Sequence, residues 1–134
     1  MVISKRFASF ALFILLLTST ACGGGGGSSS SSPWVGKWLL VTTNGADMTA
    51  YNLLYTFTET TLFVDATSLH CTSENDFSSD GVTFHSVITG GNCPGTVIGQ
   101  TSSGTIAFEG NNMTIHETEH GGAASNVLDV FTRI

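Results

Sequence analysis

The sequence is short of positive charge. It carries four Lys and Arg against ten Asp and Glu, and two of the four, Lys5 and Arg6, lie in its first six residues. From residue 22 onward Lys37 and Arg133 alone oppose the ten acidic residues, a net of −8. This argues against nucleic acid as a partner, because phosphate neutralisation needs clustered Lys and Arg. It argues equally against a polybasic grip on anionic lipid. Long apolar runs are also missing. The longest, Phe7–Leu17, has eleven residues, about half of the roughly 20 that a membrane-spanning helix needs. No stretch of ten residues shows a 3.6-residue apolar stripe, so no amphipathic helix is expected. There are three cysteines and no Cys-x-x-Cys pair, which speaks against a redox dithiol. No Gly-x-Ser-x-Gly, phosphate-binding loop or carboxylate pair stands out, so no catalytic set and no cofactor is expected.

What is present begins at the N-terminus. Lys5 and Arg6 precede the apolar run, which ends in small residues and then Ala21-Cys22. Length and flanks are those of an export signal. The segment resembles the lipobox of bacterial lipoproteins, although Ser19 stands where that family usually has leucine. The resemblance implies a signal peptide over 1–21, cleavage before Cys22, and acyl chains on Cys22 that hold the chain on a membrane. Gly23 after the cysteine, in place of aspartate, implies the outer membrane of the bacterial envelope. Gly23–Ser32 is glycine and serine throughout. Such a tether is a flexible coil spanning roughly 17 Å, long enough to hold a domain off a surface. Two or three acyl chains give firm attachment where one is marginal.

Residues 33–134 form the domain, about 100 residues and one core. Cys71 and Cys93 remain as an even pair in an exported chain. They are expected to be joined, closing a loop worth roughly 3 kcal/mol. The domain is rich in Thr, Val, Phe, Tyr and Ile, and Asn, Asp or Gly punctuates it every eight to twelve residues. That pattern predicts an all-β antiparallel meander of about eight or nine strands. Strands are expected over 36–43, 49–57, 61–65, 68–73, 82–88, 96–100, 105–109, 112–118 and 126–134. Glu74–Gly81 reads as a polar loop, and Gly90–Gly95 and Ser102–Gly104 read as turns. A closed barrel is favoured over a sandwich because closure removes exposed edges. Large inward residues predict an interior that is nearly full.

Two short features then carry a second resemblance. The domain opens Trp34-Val35-Gly36-Lys37-Trp38 and closes Asp129-Val130-Phe131-Thr132-Arg133-Ile134. Gly36-x-Trp38 at the first strand is similar to the Gly-x-Trp motif of lipocalins and of shorter bacterial lipocalin-like domains. The resemblance implies that Trp38 closes one end of the barrel and that Arg133 packs across its ring. A guanidinium over an indole gains up to about 2 kcal/mol when desolvated. The family also implies transport of an apolar molecule.

Residues 116–120 read His-Glu-Thr-Glu-His, the spacing of a zincin motif. That chemistry needs a helix. On an extended strand His116 and His120 lie about 13 Å apart and cannot share one metal. Gly121-Gly122 follows at once, so no metal site is expected. The alternative to a bare polar strand edge is a loose contact through His116, Glu119 and His120.

Two functions follow. One is a structural or protein-interaction module of the envelope with a filled barrel, using an acidic loop at Glu74–Asp80. The other is a binding module for a small apolar ligand, with Tyr51, Tyr55, Phe57, Phe63 and Phe84 as candidate lining residues. The two differ in whether the interior leaves a cavity of about 300 Å³ or more.

Overall fold

The computed structural model describes residues 30–134. The export signal, the cleavage site and the lipidated Cys22 expected above lie outside the described residues. The domain is all-β and antiparallel. Its strands are β1 (Gly36–Thr43), β2 (Ala46–Asp47), β3 (Leu53–Phe57), β4 (Thr61–Ala66), β5 (Cys71–Ser79), β6 (Thr83–Gly91), β7 (Thr101–Glu109), β8 (Asn112–His120) and β9 (Ala123–Arg133). Each main strand pairs with the next, and β9 pairs back onto β1. Eight strands therefore close into a lipocalin-like barrel, with the short β2 added beside β1. Closure leaves no free edge on the barrel wall.

Alternation explains the wall. Trp38 and Leu40 of β1 point inward and are buried, and Phe57, Phe77, Phe84, Ile106, Met113 and Phe131 meet them from the other strands. The core gathers at one end of the barrel, next to the hairpins at 58–60, 80–82 and 110–111. Phe57 meets Phe77 edge-on at 4.9 Å between ring centres, and Phe77 stacks near Phe84 at 6.1 Å. Trp34 caps this end from outside the strands and is itself buried.

The closure contact forms as the resemblance implied. Trp38 lies opposite Arg133 in the β1–β9 ladder, and the Arg133 guanidinium carbon sits 4.2 Å from the centre of the Trp38 ring. Arg133 also donates from Nη1 to the Val35 carbonyl at 3.0 Å and from Nη2 to the Pro33 carbonyl at 2.6 Å. A Cβ on Gly36 would lie 2.8 Å from Arg133 Nη1. The glycine of the motif is thus the space through which the guanidinium passes. Arg133 is exposed, so the pair is worth about 0.5–1 kcal/mol, below the desolvated figure.

Several strand expectations need correction. Residues Thr49–Tyr51 form a 3₁₀ turn, so β3 starts at Leu53. Glu74–Gly81 is not a loop, because β5 runs through it to Ser79. The inward residues of β5 are Cys71, Ser73, Asn75 and Phe77, and two of these are polar, which hides the alternation. Residues 96–100 lie in the connection between β6 and β7, whereas Ser102–Gly104 belongs to β7. Asn44-Gly45 turns the chain between β1 and β2. Both residues have positive φ, 49° and 79°, as a tight hairpin turn requires.

Candidate functional site

The barrel is not full. Its other half encloses a cavity of about 500 Å³, open to solvent at the end away from Trp34. Phe77, Phe84 and Phe131 form the floor, and Leu53, Leu62, Val64, Ile88 and Ile115 supply apolar wall. The space exists because the inward residues of this half are small or polar: Ala66, Ser73, Asn75, Ser86 and Ser102. The expectation of a nearly full interior is thus corrected. Large side chains fill the closed half only.

Of the five candidate lining residues, Tyr55 and Phe84 reach the cavity. Phe57 is 1 % exposed and belongs to the packed core beneath it. Tyr51 and Phe63 are 45 % and 39 % exposed and lie on the outside. Tyr51 sits in the 3₁₀ turn, where strand alternation no longer sets direction. Phe63 is an odd step from the inward Leu62 and Val64.

The mouth is shaped by the connections 67–70 and 92–100. Leu69, Pro94, Gly95, Thr96 and Gln100 line its rim. A disulfide joins Cys71, the first residue of β5, to Cys93 in the long connection. It ties the rim loop to the wall, and Asn92 adds a second tie by accepting from the Thr72 amide at 2.8 Å. Replacing both cysteines with serine is expected to cost about 3 kcal/mol by loop entropy. A thermal unfolding scan checks it: the variant and the reduced wild type should fall together, and an unchanged midpoint would contradict the estimate.

One side of the cup is polar and acidic. Glu117 and His120 of β8, Asp129 of β9 and Ser102 of β7 all line the cavity. Regular alternation from Ile115 and Glu117 would send His120 outward. A bulge between Glu117 and Glu119 inserts Thr118 and restores His120 to the inner face, opposite Ser102. His116 stays on the outside, where Nε2 meets Asn126 Oδ1 at 2.8 Å. The two histidines therefore point to opposite sides of β8. Among the described residues no group of three or more His, Cys, Asp or Glu is placed to hold a metal ion.

Ser102, His120 and Glu117 are in contact, but not as a nucleophile relay. Ser102 Oγ lies 2.9 Å from His120 Nδ1, and Glu117 Oε2 lies 3.1 Å from the same nitrogen. A relay needs serine and acid on opposite ring nitrogens. Ser125 donates to Glu117 Oε1 at 2.7 Å. Burial works to raise Glu117, yet hydrogen bonds from Ser125, Ser102 and His120 outweigh it and hold the carboxyl below its ordinary range. Asp129 differs. Burial lifts its carboxyl above the ordinary range, with the charge of Glu117 adding to it, while a 2.6 Å bond from Thr43 Oγ1 opposes the shift. Burial, and after it the charge of Asp129, likewise pushes the Tyr55 hydroxyl up.

A carboxylate whose pKa is raised on folding costs stability at neutral pH, and the cost fades as pH falls through the raised value. Asp129→Asn keeps an oxygen for Thr43 and is expected to raise the unfolding midpoint at pH 7. The gain should shrink as the pH falls through the raised value, where wild-type Asp129 takes up its proton. A midpoint that drops, or a gain independent of pH, would count against this account.

Comparisons with family models, with curated proteins and with solved structures each returned no match for this chain.

Proposed function

We propose that the domain is a binding module that holds one small amphiphilic molecule in the open half of the barrel. The observation that carries this is the cavity: about 500 Å³, mouth open, floor aromatic and one wall polar. Sites for small ligands have this size and this mixture of apolar area with a few placed polar groups. A purely structural barrel gains nothing from such space, since unfilled volume forfeits packing energy. The sequence favoured a structural or protein-interaction module using an acidic loop at Glu74–Asp80; that segment is wall strand to Ser79, so such a contact would use the exposed outer face of β5 at Glu74 and Asp76.

The leader and Cys22 support a lipid-anchored protein of the bacterial envelope. In that reading the described geometry has a consequence. The chain enters the barrel at its closed end, where Arg133 holds Pro33 and Val35 and Glu59 accepts from Ser32. A tether from an acylated Cys22 would then attach beneath the floor, and the mouth would face away from the membrane. The ligand would arrive from the aqueous side.

Native mass spectrometry of residues 28–134, secreted into an oxidising compartment, tests the binding reading. An adduct of a few hundred daltons that disappears on unfolding is expected. A bare monomer that stays bare after incubation with envelope extracts would overturn it. The mass of the N-terminal peptide from the full chain tests the anchor: acylated Cys22 is expected, and an intact unmodified leader would refute it.

A further inference from the structure

The polar wall narrows the class of ligand. Glu117 and Asp129 both line the cavity. Asp129 faces Ile115 across the β8–β9 ladder, and Glu117 is two residues further along β8. The two carboxylates are therefore diagonal neighbours on one inner face, within reach of a single small group. Among the described residues no Lys or Arg lines the cavity. The one ion pair among the described residues joins His120 to Glu117, so Asp129 has no cationic partner. Only its Oδ1 is engaged, by Thr43. Tyr55 lies deep in the same cup with its ring open to the cavity, and its hydroxyl makes no hydrogen bond to a described residue. Asp129 and the Tyr55 hydroxyl thus face a largely apolar space with no cationic partner among the described residues, beside a Glu117 carboxylate that already accepts from Ser125 and meets His120.

We infer that the ligand is an amphiphilic amine: an apolar body seated on Phe77, Phe84 and Phe131, and an ammonium head held by Asp129 and Glu117. The inference rests on the barrel being a ligand cup and adds the sign of the head group. An ammonium has three donors and no acceptor. Asp129, Glu117 and the Tyr55 hydroxyl offer matching acceptors. An anionic head would meet two carboxylates in a low-dielectric site, and like charges there repel strongly. A neutral alcohol offers Asp129 one O–H donor but no countercharge. Both heads would make charge-assisted bonds to the carboxylates, and the amine adds Coulomb attraction between opposite charges in a site that excludes water, which sets the expected discrimination.

The test uses three probes that share one body and differ in the head: 4-phenylbutylamine, 4-phenylbutan-1-ol and 4-phenylbutanoate. Each is titrated into the full chain by calorimetry at pH 7.5. The amine should bind about tenfold or more tighter than the alcohol, and the acid weakest. Asp129→Asn and Glu117→Gln should each remove most of the amine's advantage over the alcohol. Equal binding of all three probes, or a preference for the acid, would overturn the amine assignment and leave the cup standing. Binding of none of the three would overturn the cup itself. If either variant fails to fold, its thermal scan shows it, and the other variant decides.

Discussion

Alanine at Trp38 is expected to remove about 3–5 kcal/mol of stability. Most domains have about 5–15 kcal/mol in total, so the variant should be marginal or unfolded at 37 °C. Three losses coincide. The side chain is 1 % exposed and its removal leaves a void beside Phe108, whose ring centre is 6.3 Å away. The indole Nε1 bond to the Trp34 carbonyl, 2.8 Å, goes with it. The guanidinium of Arg133 loses the face it covers. Because these contacts join β1, β9 and the entering chain, the damage falls on barrel closure as well as on packing. Phenylalanine at the same position should recover much of the packing and a weaker face for Arg133, but not the Nε1 hydrogen bond. Chemical denaturation checks the order wild type, Phe, Ala. A loss under about 1 kcal/mol for alanine would show that Trp38 is not the closing residue described.

Valine at Gly104 should be nearly as damaging, for a different reason. A Cβ there would lie 1.9 Å from the His116 carbonyl oxygen and 2.9 Å from its carbon. Both are backbone atoms, so no side-chain rotation relieves the clash. Gly104 is paired with Glu117 at the bulge that carries Thr118, where a close approach of two backbones calls for glycine. Forcing the strands apart is expected to cost about 1–3 kcal/mol or more. It should also disturb the placement of Glu117 and His120 in the cavity wall. The thermal midpoint reads the first effect, and weakened binding of the phenylbutylamine probe reads the second. Serine 103, one residue earlier and on the other face, is the control: Ser103→Ala should change neither. A Gly104→Val protein with wild-type midpoint would mean that the bulge is not held by this contact.

The two halves of the barrel differ in how much the sequence disclosed. In the closed half the inner face is aromatic and aliphatic, so alternation is visible in Trp38–Leu40, Tyr55–Phe57 and Ile106–Phe108. The ends of the chain, Gly36-x-Trp38 and Arg133, were paired through the resemblance to lipocalin-like domains. In the open half the inner face is Ser73, Asn75, Ser86 and Ser102, which read as loop or turn residues. A strand whose inward positions face an empty cup has little hydrophobic signal, and this is why the second half of β5, from Glu74, was expected as a loop and the start of β7 as a turn. The polar wall was hidden further by geometry. Period-two counting sends His120 outward, and only the bulge at Thr118 returns it. Asp129 was visible as a carboxylate inside the last strand, and its inward parity with Phe131 was the available clue. The Tyr51 and Phe63 expectations failed because an aromatic residue alone does not reveal which side of the strand it takes, or that the strand has given way to a 3₁₀ turn.

Access to the apolar cup in the open half is measured directly with a neutral dye. N-Phenyl-1-naphthylamine fluoresces strongly in apolar surroundings and carries no charge for the carboxylates to attract or repel. It should be titrated into the wild-type domain and into Ser86→Trp. Ser86 is 8 % exposed and lines the cavity, so an indole there fills the space above the aromatic floor. The account predicts saturable enhancement at one dye per wild-type domain, and its loss in a Ser86→Trp protein whose unfolding midpoint is retained. No enhancement in the wild type, or equal enhancement in the filled variant, would contradict it.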